Sequence, residues 1–255
     1  MSVSPADEVA GPGVVARVSA VLGAFSTAPA EGLTLTQLAE RCRLPLTTAH
    51  RLAGQLERER VLERSPDGRY RIGLKLWELG MLAPRGHGLR EVALPYLEDL
   101  YEVTHENVQL LVLDGAEVVV VERLRARNAV QLRSRPGGRL PAHATSGGIV
   151  LLPSAPEVLD ALAAGPLERF TAATIGDAEQ LRATVALARR QGWCELRGHL
   201  TPGSVSIAAP VVVHGRPAAA VSVVGEIGTD SSPLIPALLT TARAIARALA
   251  AARTP

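Results

Sequence analysis

Between residues 14 and 58 the apolar positions recur at spacings of three and four, the period of helices that bury one face. Val18, Val21, Leu22 and Phe25 mark a first helix over 14–25. Leu35, Leu38 and Ala39 mark a second over 35–42, and Ala49, Leu52, Ala53 and Leu56 a third that opens around Pro45. Proline costs least at a helix start, where its missing N–H would be unpaired anyway. Thr34-Leu35-Thr36-Gln37 has the form of a capping box, in which Thr34 accepts from the backbone and Gln37 reaches back. The period then shortens: 61–64 and 69–72 read as strands around Ser65-Pro66-Asp67-Gly68, a turn with proline second and glycine fourth. Three helices followed by a hairpin predict a winged helix-turn-helix over 14–73, its helix-turn-helix at about 35–54.

Residues 81–89 (MLAPRGHGL) hold a proline and two glycines and predict a domain break inside a linker region, 74–104, that ends in a long amphipathic helix from Leu89. Over 105–255 the pattern alternates. Strands are expected at 107–113, 117–124, 129–134, 204–213 and 217–225, the last two joined by the His214-Gly215-Arg216 turn. Helices are expected at 147–152, 156–164, 177–191 and 233–252. The last of these has an inward stripe of Ile235, Leu238, Leu239, Ala242, Ile245, Ala246 and Leu249. An antiparallel sheet with helices on its faces is an α+β domain.

Composition narrows the class. The chain has 255 residues, 47% hydrophobic and 20% charged, which excludes a disordered polypeptide, and its 3% aromatic content calls for an aliphatic core. Cys42 and Cys194 have no metal-ligand spacing and read as reduced thiols. Residues 1–13 lack the basic and apolar regions of a signal peptide and read as a disordered lead-in. No unbroken apolar run of about 20 residues occurs, so a soluble, cytoplasmic protein without membrane association is expected. The net charge of +2 names no partner, but its distribution does. Residues 41–75 carry nine basic and four acidic side chains, and 123–139 carry six arginines and no acid.

Turning the inward stripe of the third helix fixes what faces outward: Thr47, His50, Arg51, Gly54 and Arg58, with Thr48 and Gln55 at the edges. Such a helix fits the DNA major groove with its first residues at base edges. Arg51 offers guanine a bidentate pair; the threonines and His50 suit phosphates or base edges. Thr36, Gln37 and Arg43 flank the same end, and Arg64, Arg69 and Arg71 on the hairpin are placed for the flanking backbone or the minor groove.

The run GLTLTQLAERCRLPLTTAHRLAGQLERERVLER, followed by DGRYRIGLKLWELG, resembles the DNA-binding half of the IclR family of bacterial transcriptional regulators. LPYLEDLYEVTHENVQLLVLDGAEVVVVERL, RPGGRLPAHATSGGIVLL and GSVSIAAPVVVHGRPAAAVSVVG resemble stretches of that family's effector domain. The resemblance implies an N-terminal winged helix-turn-helix joined by a linker helix to a C-terminal GAF-like or profilin-like effector-binding domain. It also implies a homodimer or dimer of dimers on a palindromic double-stranded DNA operator, and a regulator, repressor or activator, that answers to a small-molecule effector. The sequence departs from the family's pattern in three places: Arg43 stands where a glycine is usual, Ile149 where a lysine commonly follows the glycines, and Gly198-His199 where an acidic pair is frequent.

For the effector, the resemblance points to His143, Thr145, Ser146, Gly147 and Gly148 in one loop and Cys194, Glu195 and His199 in another. Ser204 and Ser206 open a strand that could floor the site, and Arg133, Arg135 and Arg139 stand near in sequence. Backbone N–H groups at Gly147-Gly148 together with arginine suggest an anionic metabolite, an organic or aromatic acid. Arg123, Arg125 and Arg127 alternate along one strand face, solvated or at a subunit contact. The competing reading is an enzyme using Cys194 with His199 or Ser146 with His143. No nucleophile elbow, zinc spacing, P-loop or dinucleotide fingerprint accompanies either pair, so no cofactor is expected.

Overall fold

The computed structural model describes residues 13–126, 130, 132 and 134–252. Internal contacts divide the chain into two units, 1–82 and 83–255. In the first, α1 (Val14–Gly23) runs into a 3-10 turn (Ala24–Thr27), and α2 (Leu35–Cys42), α3 (Leu46–Arg58) and α4 (Leu74–Gly80) follow. Strands β1 (Leu62–Arg64) and β2 (Tyr70–Ile72) lie between α3 and α4 and pair in antiparallel register, with Glu63 opposite Arg71. Val21, Leu33, Leu38, Leu52, Ala53, Leu56, Leu62 and Tyr70 form the core of this unit.

Local chemistry sets the helix ends. Thr34 Oγ1 accepts from Gln37 N at 3.3 Å while Gln37 Oε1 accepts from Thr34 N at 2.9 Å, closing the capping box. At the other end of α2, Arg43 sits at φ 53°, ψ 42°. Leu44 N reaches Ala39 O at 3.0 Å and Arg43 N reaches Glu40 O at 3.1 Å, the paired bonds of a Schellman motif. The end of α3 repeats the arrangement with Arg60 at φ 60°, Val61 N bonding Leu56 O and Arg60 N bonding Glu57 O. Arginine thus occupies two left-handed positions that glycine fills at least cost.

The second unit begins with α5 (Leu89–Thr104) and contains β3 (Asn107–Asp114), β4 (Glu117–Leu124), β5 (Arg139–Pro141), α6 (Ser146–Leu151), α7 (Pro156–Ala164) and α8 (Ala178–Gln191). It closes with β6 (Cys194–Arg197), β7 (Ser204–Val213), β8 (Arg216–Glu226) and α9 (Leu234–Ala252). The strands form one antiparallel sheet in the order β5-β4-β3-β8-β7-β6. Alternation along each strand sends side chains to opposite faces. Val108, Leu110, Ile207, Ala209, Val221 and Val223 share a core with Leu97 and Leu100 of α5 and Leu238, Ala242 and Ile245 of α9. Leu111, Ala208 and Ala220 face the other way, into a core with Ile149, Leu151, Leu181 and Val185 of α6 and α8.

A bulge breaks the β3–β4 ladder: Leu111 pairs with Val120 but Leu110 pairs with Glu122, which leaves Val121 as the extra residue. Beyond it the faces of β4 exchange. Glu122 turns toward α5, where Arg90 Nε meets its carboxylate at 2.5 Å, and Arg123 falls opposite Gln109 on the α6 side.

One expectation needs correction. No strand occupies the described part of 129–134, because its carbonyls are taken by side chains. Asn107 Nδ2 donates to Val130 O at 3.4 Å, and the Arg123 guanidinium donates to the carbonyls of Leu132 and Ser134. The strand that pairs with β4 lies further on, at 139–141. By length and composition alone α9 would also be apolar enough to cross a membrane, but Arg243 and Arg247 interrupt its apolar run and one stripe of it packs on the sheet.

Candidate DNA-binding face and effector pocket

On α3 the four inward residues Ala49, Leu52, Ala53 and Leu56 are buried. Their burial leaves Thr47, His50, Arg51 and Arg58 exposed, with Thr48 half-buried at the edge. Thr36 and Arg43 are exposed beside them. Gln37 is exposed, but its carbonyl serves the capping box and also accepts from Arg69 Nη1 at 3.5 Å. The hairpin arginines are largely spent on holding the wing. Arg69 pairs with Asp67 at 3.3 Å, Arg71 Nε donates to Glu31 O at 3.1 Å, and Arg64 bonds Gly68 O at 3.3 Å with its guanidinium over the Tyr70 ring. Among the described residues no hydrogen bond engages the side chains of Thr47, His50 and Arg51 on the first two turns of α3.

In the second unit a pocket opens on the α6 side of the sheet. Its floor is Gln109 and Leu111 of β3, Ser204 and Ser206 of β7, and Ser222 and Val224 of β8. Its walls are Thr145, Ser146 and Gly147 at the start of α6, and His199, Leu200 and Thr201 in the loop after β6, with Leu132, Ser134, Leu140 and Leu196 completing it. The pocket encloses roughly 540 Å³ of space free of protein atoms, part of it open to solvent. Among the described residues that line it there is no lysine, arginine or carboxylate; its polar groups are hydroxyls, one amide and one imidazole.

Most of these polar groups are already oriented. Thr145 Oγ1 caps α6 by accepting from Gly148 N at 3.2 Å, Ser204 Oγ donates to Thr201 O at 2.8 Å, and Gln109 Nε2 donates to Ser134 Oγ at 2.7 Å. Ser146 differs: its hydroxyl is buried, 1% exposed as a residue, and has no hydrogen-bond partner among the described residues. His199 Nδ1 lies 3.1 Å from Arg197 O, so its donor role there leaves Nε2 as an acceptor. Burial pushes the His199 pKa below its ordinary value, against which the bond to Arg197 works. Its backbone is fixed by Thr174, whose hydroxyl donates to His199 O at 2.5 Å.

The pocket thus brings together Thr145, Ser146, Gly147, His199, Ser204 and Ser206, and leaves out His143, Gly148, Cys194, Glu195, Arg135 and Arg139. His143 turns away, with Nε2 2.9 Å from Glu168 O and its ring against Phe170. Gly148 faces the backbone of Ala142, which a β-carbon there would overlap, and its N–H belongs to Thr145. Cys194 points into the hydrophobic core, and Glu195, on the opposite face of β6, is held by Arg197 and Ser231. Arg133 lies outside the described residues; Arg139 pairs with Asp114 and Glu117. The sequence reading missed Gln109, Ser134, Thr201 and Ser222.

This geometry disfavours the enzyme reading. Among the described residues no base meets the Ser146 hydroxyl, and burial together with Glu195 pushes the Cys194 thiol up to about 12, the reverse of an activated nucleophile. Among the described residues no group of three or more His, Cys, Asp or Glu side chains could hold a metal ion.

Comparison with known proteins decides the family. Residues 14–66 match the IclR helix-turn-helix domain, and 82–251 match the bacterial transcriptional regulator IclR C-terminal domain. The chain belongs to the IclR family. It is 36% identical to an IclR homologue from Microbacterium hydrocarbonoxydans crystallised with 4-hydroxybenzoate, with a TM-score of 0.88 over 93% of this chain and 99% of that one. It is 33% identical to the HTH-type transcriptional regulator XynR of Escherichia coli over 78% of this chain and 80% of the relative. To KipR of Bacillus subtilis it is 30% identical, over 83% and 85%. As an IclR regulator it is a ligand-responsive, DNA-binding transcriptional regulator, of a family whose members typically bind DNA and small-molecule effectors and oligomerise.

Proposed function

We propose that this regulator binds a two-fold symmetric operator as a homodimer through the first turns of α3, and that a single-ring aromatic acid of the 4-hydroxybenzoate type, seated in the α6 pocket, alters that binding. Arg51 specifies a guanine; Thr47, Thr48 and Arg43 position the helix on the backbone. Two copies would meet half-sites about one DNA turn, ~34 Å, apart.

The observation that carries the ligand reading is the orphaned Ser146 hydroxyl inside a pocket of apolar walls and neutral donors. A buried hydroxyl without a partner is costly, and a bound acceptor removes the cost. His199 Nε2 provides the complementary acceptor for a phenolic hydroxyl. The similarity to the 4-hydroxybenzoate-bound homologue supports the same class of ligand.

A gel shift of the full chain on its own upstream intergenic DNA tests the reading, with 4-hydroxybenzoate and 4-hydroxybenzamide as additives. A sequence-specific, salt-sensitive complex that the acid changes and the amide does not is the expected result. Binding without sequence preference would overturn the DNA half, and indifference to the acid the ligand half. By linkage, an acid that weakens the complex must itself bind more weakly to the DNA-bound form.

A further inference from the structure

Arg123 has an unusual position for a cation. It is half-buried, and among the described residues its guanidinium donates only to neutral oxygens: the carbonyls of Leu132 and Ser134, and Asn107 Oδ1 at 3.1 Å from Nη2. Its Nε is buried with no partner among the described residues. Among the described residues no carboxylate pairs with this guanidinium. The nearest acid in sequence, Glu122, accepts from the Arg123 backbone N–H at 2.7 Å but turns its other oxygen to Arg90 on the opposite side of the sheet.

The β3–β4 bulge creates this arrangement. In an unbroken ladder Glu122 would fall opposite Gln109 on the pocket face; the extra residue sends Glu122 to the α5 face and brings Arg123 in its place. Arg123 therefore stands beside Gln109 in the β3–β4 register and its guanidinium donates to the Ser134 carbonyl, two residues that line the pocket. Ser134 Oγ accepts from Gln109 Nε2, which leaves its own proton free for an acceptor in the pocket.

We infer that Arg123 sets the preference of the pocket for an anion, acting across the Gln109–Ser134 pair without touching the ligand. This rests on the aromatic-acid reading of the pocket and names the charge that reading otherwise lacks, since no lysine or arginine is among the described lining residues. A partly desolvated cation whose guanidinium meets no carboxylate among the described residues is poorly compensated, and an anion one residue away completes it. Burial and the neighbouring Arg125 both lower the Arg123 pKa, as expected of a cation short of counter-charge.

Calorimetry on the full chain with 4-hydroxybenzoate and 4-hydroxybenzamide reads the effect as a ratio of affinities. The wild type should favour the acid by about tenfold or more. Arg123→Gln should bring the ratio near one by loss of acid affinity alone, while Arg123→Lys keeps most of the preference. Asn107→Asp places a carboxylate where Oδ1 already meets Arg123, and should abolish the preference with the arginine still present. Because a carboxylate at 107 disfavours an anion by its own charge, the deciding comparison is Arg123→Lys against Arg123→Gln: a merely structural Arg123 predicts one ratio in both, a charge role predicts two. An acid preference that survives in folded Asn107→Asp and Arg123→Gln overturns the role of Arg123 and leaves the acid reading intact. A wild type without acid preference overturns both.

Discussion

Replacing Arg43 with glycine should stabilise the helix-turn-helix, although it removes a charge from the face proposed to meet DNA. Arg43 holds φ 53°, ψ 42° at the left-handed position of the Schellman motif ending α2. A side chain with a β-carbon pays about 1–2 kcal/mol for that conformation. Unfolded glycine takes back about 0.5–1 kcal/mol through its extra freedom. The balance is about 0.5–1 kcal/mol in favour of Arg43→Gly, while Arg43→Ala keeps the strain. Hydrogen exchange of the α2 and α3 amides in the full chain should therefore slow roughly two- to fivefold in Arg43→Gly relative to Arg43→Ala. Exchange as fast in the glycine variant as in the alanine variant would refute the argument. The same pair separates charge from backbone. If Arg43 contacts a phosphate, both variants lose about one unit of the salt slope of operator binding, irrespective of their stability.

Arg51→Ala should cost about 1–3 kcal/mol of operator affinity and relax the preference at one base pair, read by binding to a panel of single-substituted operators; a uniform loss would make Arg51 a phosphate contact. Ser146→Ala removes an unpartnered buried hydroxyl, so the free protein should melt no lower than wild type, and higher by up to about 1–2 kcal/mol of stability, while calorimetry shows weaker effector binding. Gly148→Ala drives a β-carbon into the Ala142 backbone and should cost more than about 2 kcal/mol in a thermal melt. Because burial depresses the His199 pKa, the folded chain resists a proton that the unfolded chain accepts. Its contribution to stability is complete above pH 6.5 and declines as the pH falls from there toward the depressed value, a slope that His199→Gln should remove from urea titrations across pH.

The recognition helix was legible because one stripe of four small and aliphatic residues fixes which others face out. The left-handed turn at Arg43 was legible as a missing glycine. The pocket was less so. Cys194–Arg197 is a four-residue edge strand with only two inward positions, too short to show alternation, so Cys194 and Glu195 read as loop residues. The interval 129–134 has strand-like composition, but the side chains of Asn107 and Arg123 claim its carbonyls, a tertiary event that no local pattern records. A usable signal for the pocket floor did exist. Gln109 and Ser222 are polar residues at inward positions of otherwise apolar strands, and they stand opposite each other in the β3–β8 register. A polar residue in such a place needs a partner, and here the partners are Ser134 and the ligand space.

The central strand β3 serves two constituencies that do not share a position. Leu110 and Val108 answer to the helices α5 and α9, while Gln109 and Leu111 answer to the pocket. A lineage could therefore redraft its chemical vocabulary at 109, 111, 206 and 222 by single substitutions, leaving the layer behind the sheet untouched. The alternation of a strand, one residue up and the next down, would then be what lets one scaffold acquire new signals without relearning how to fold.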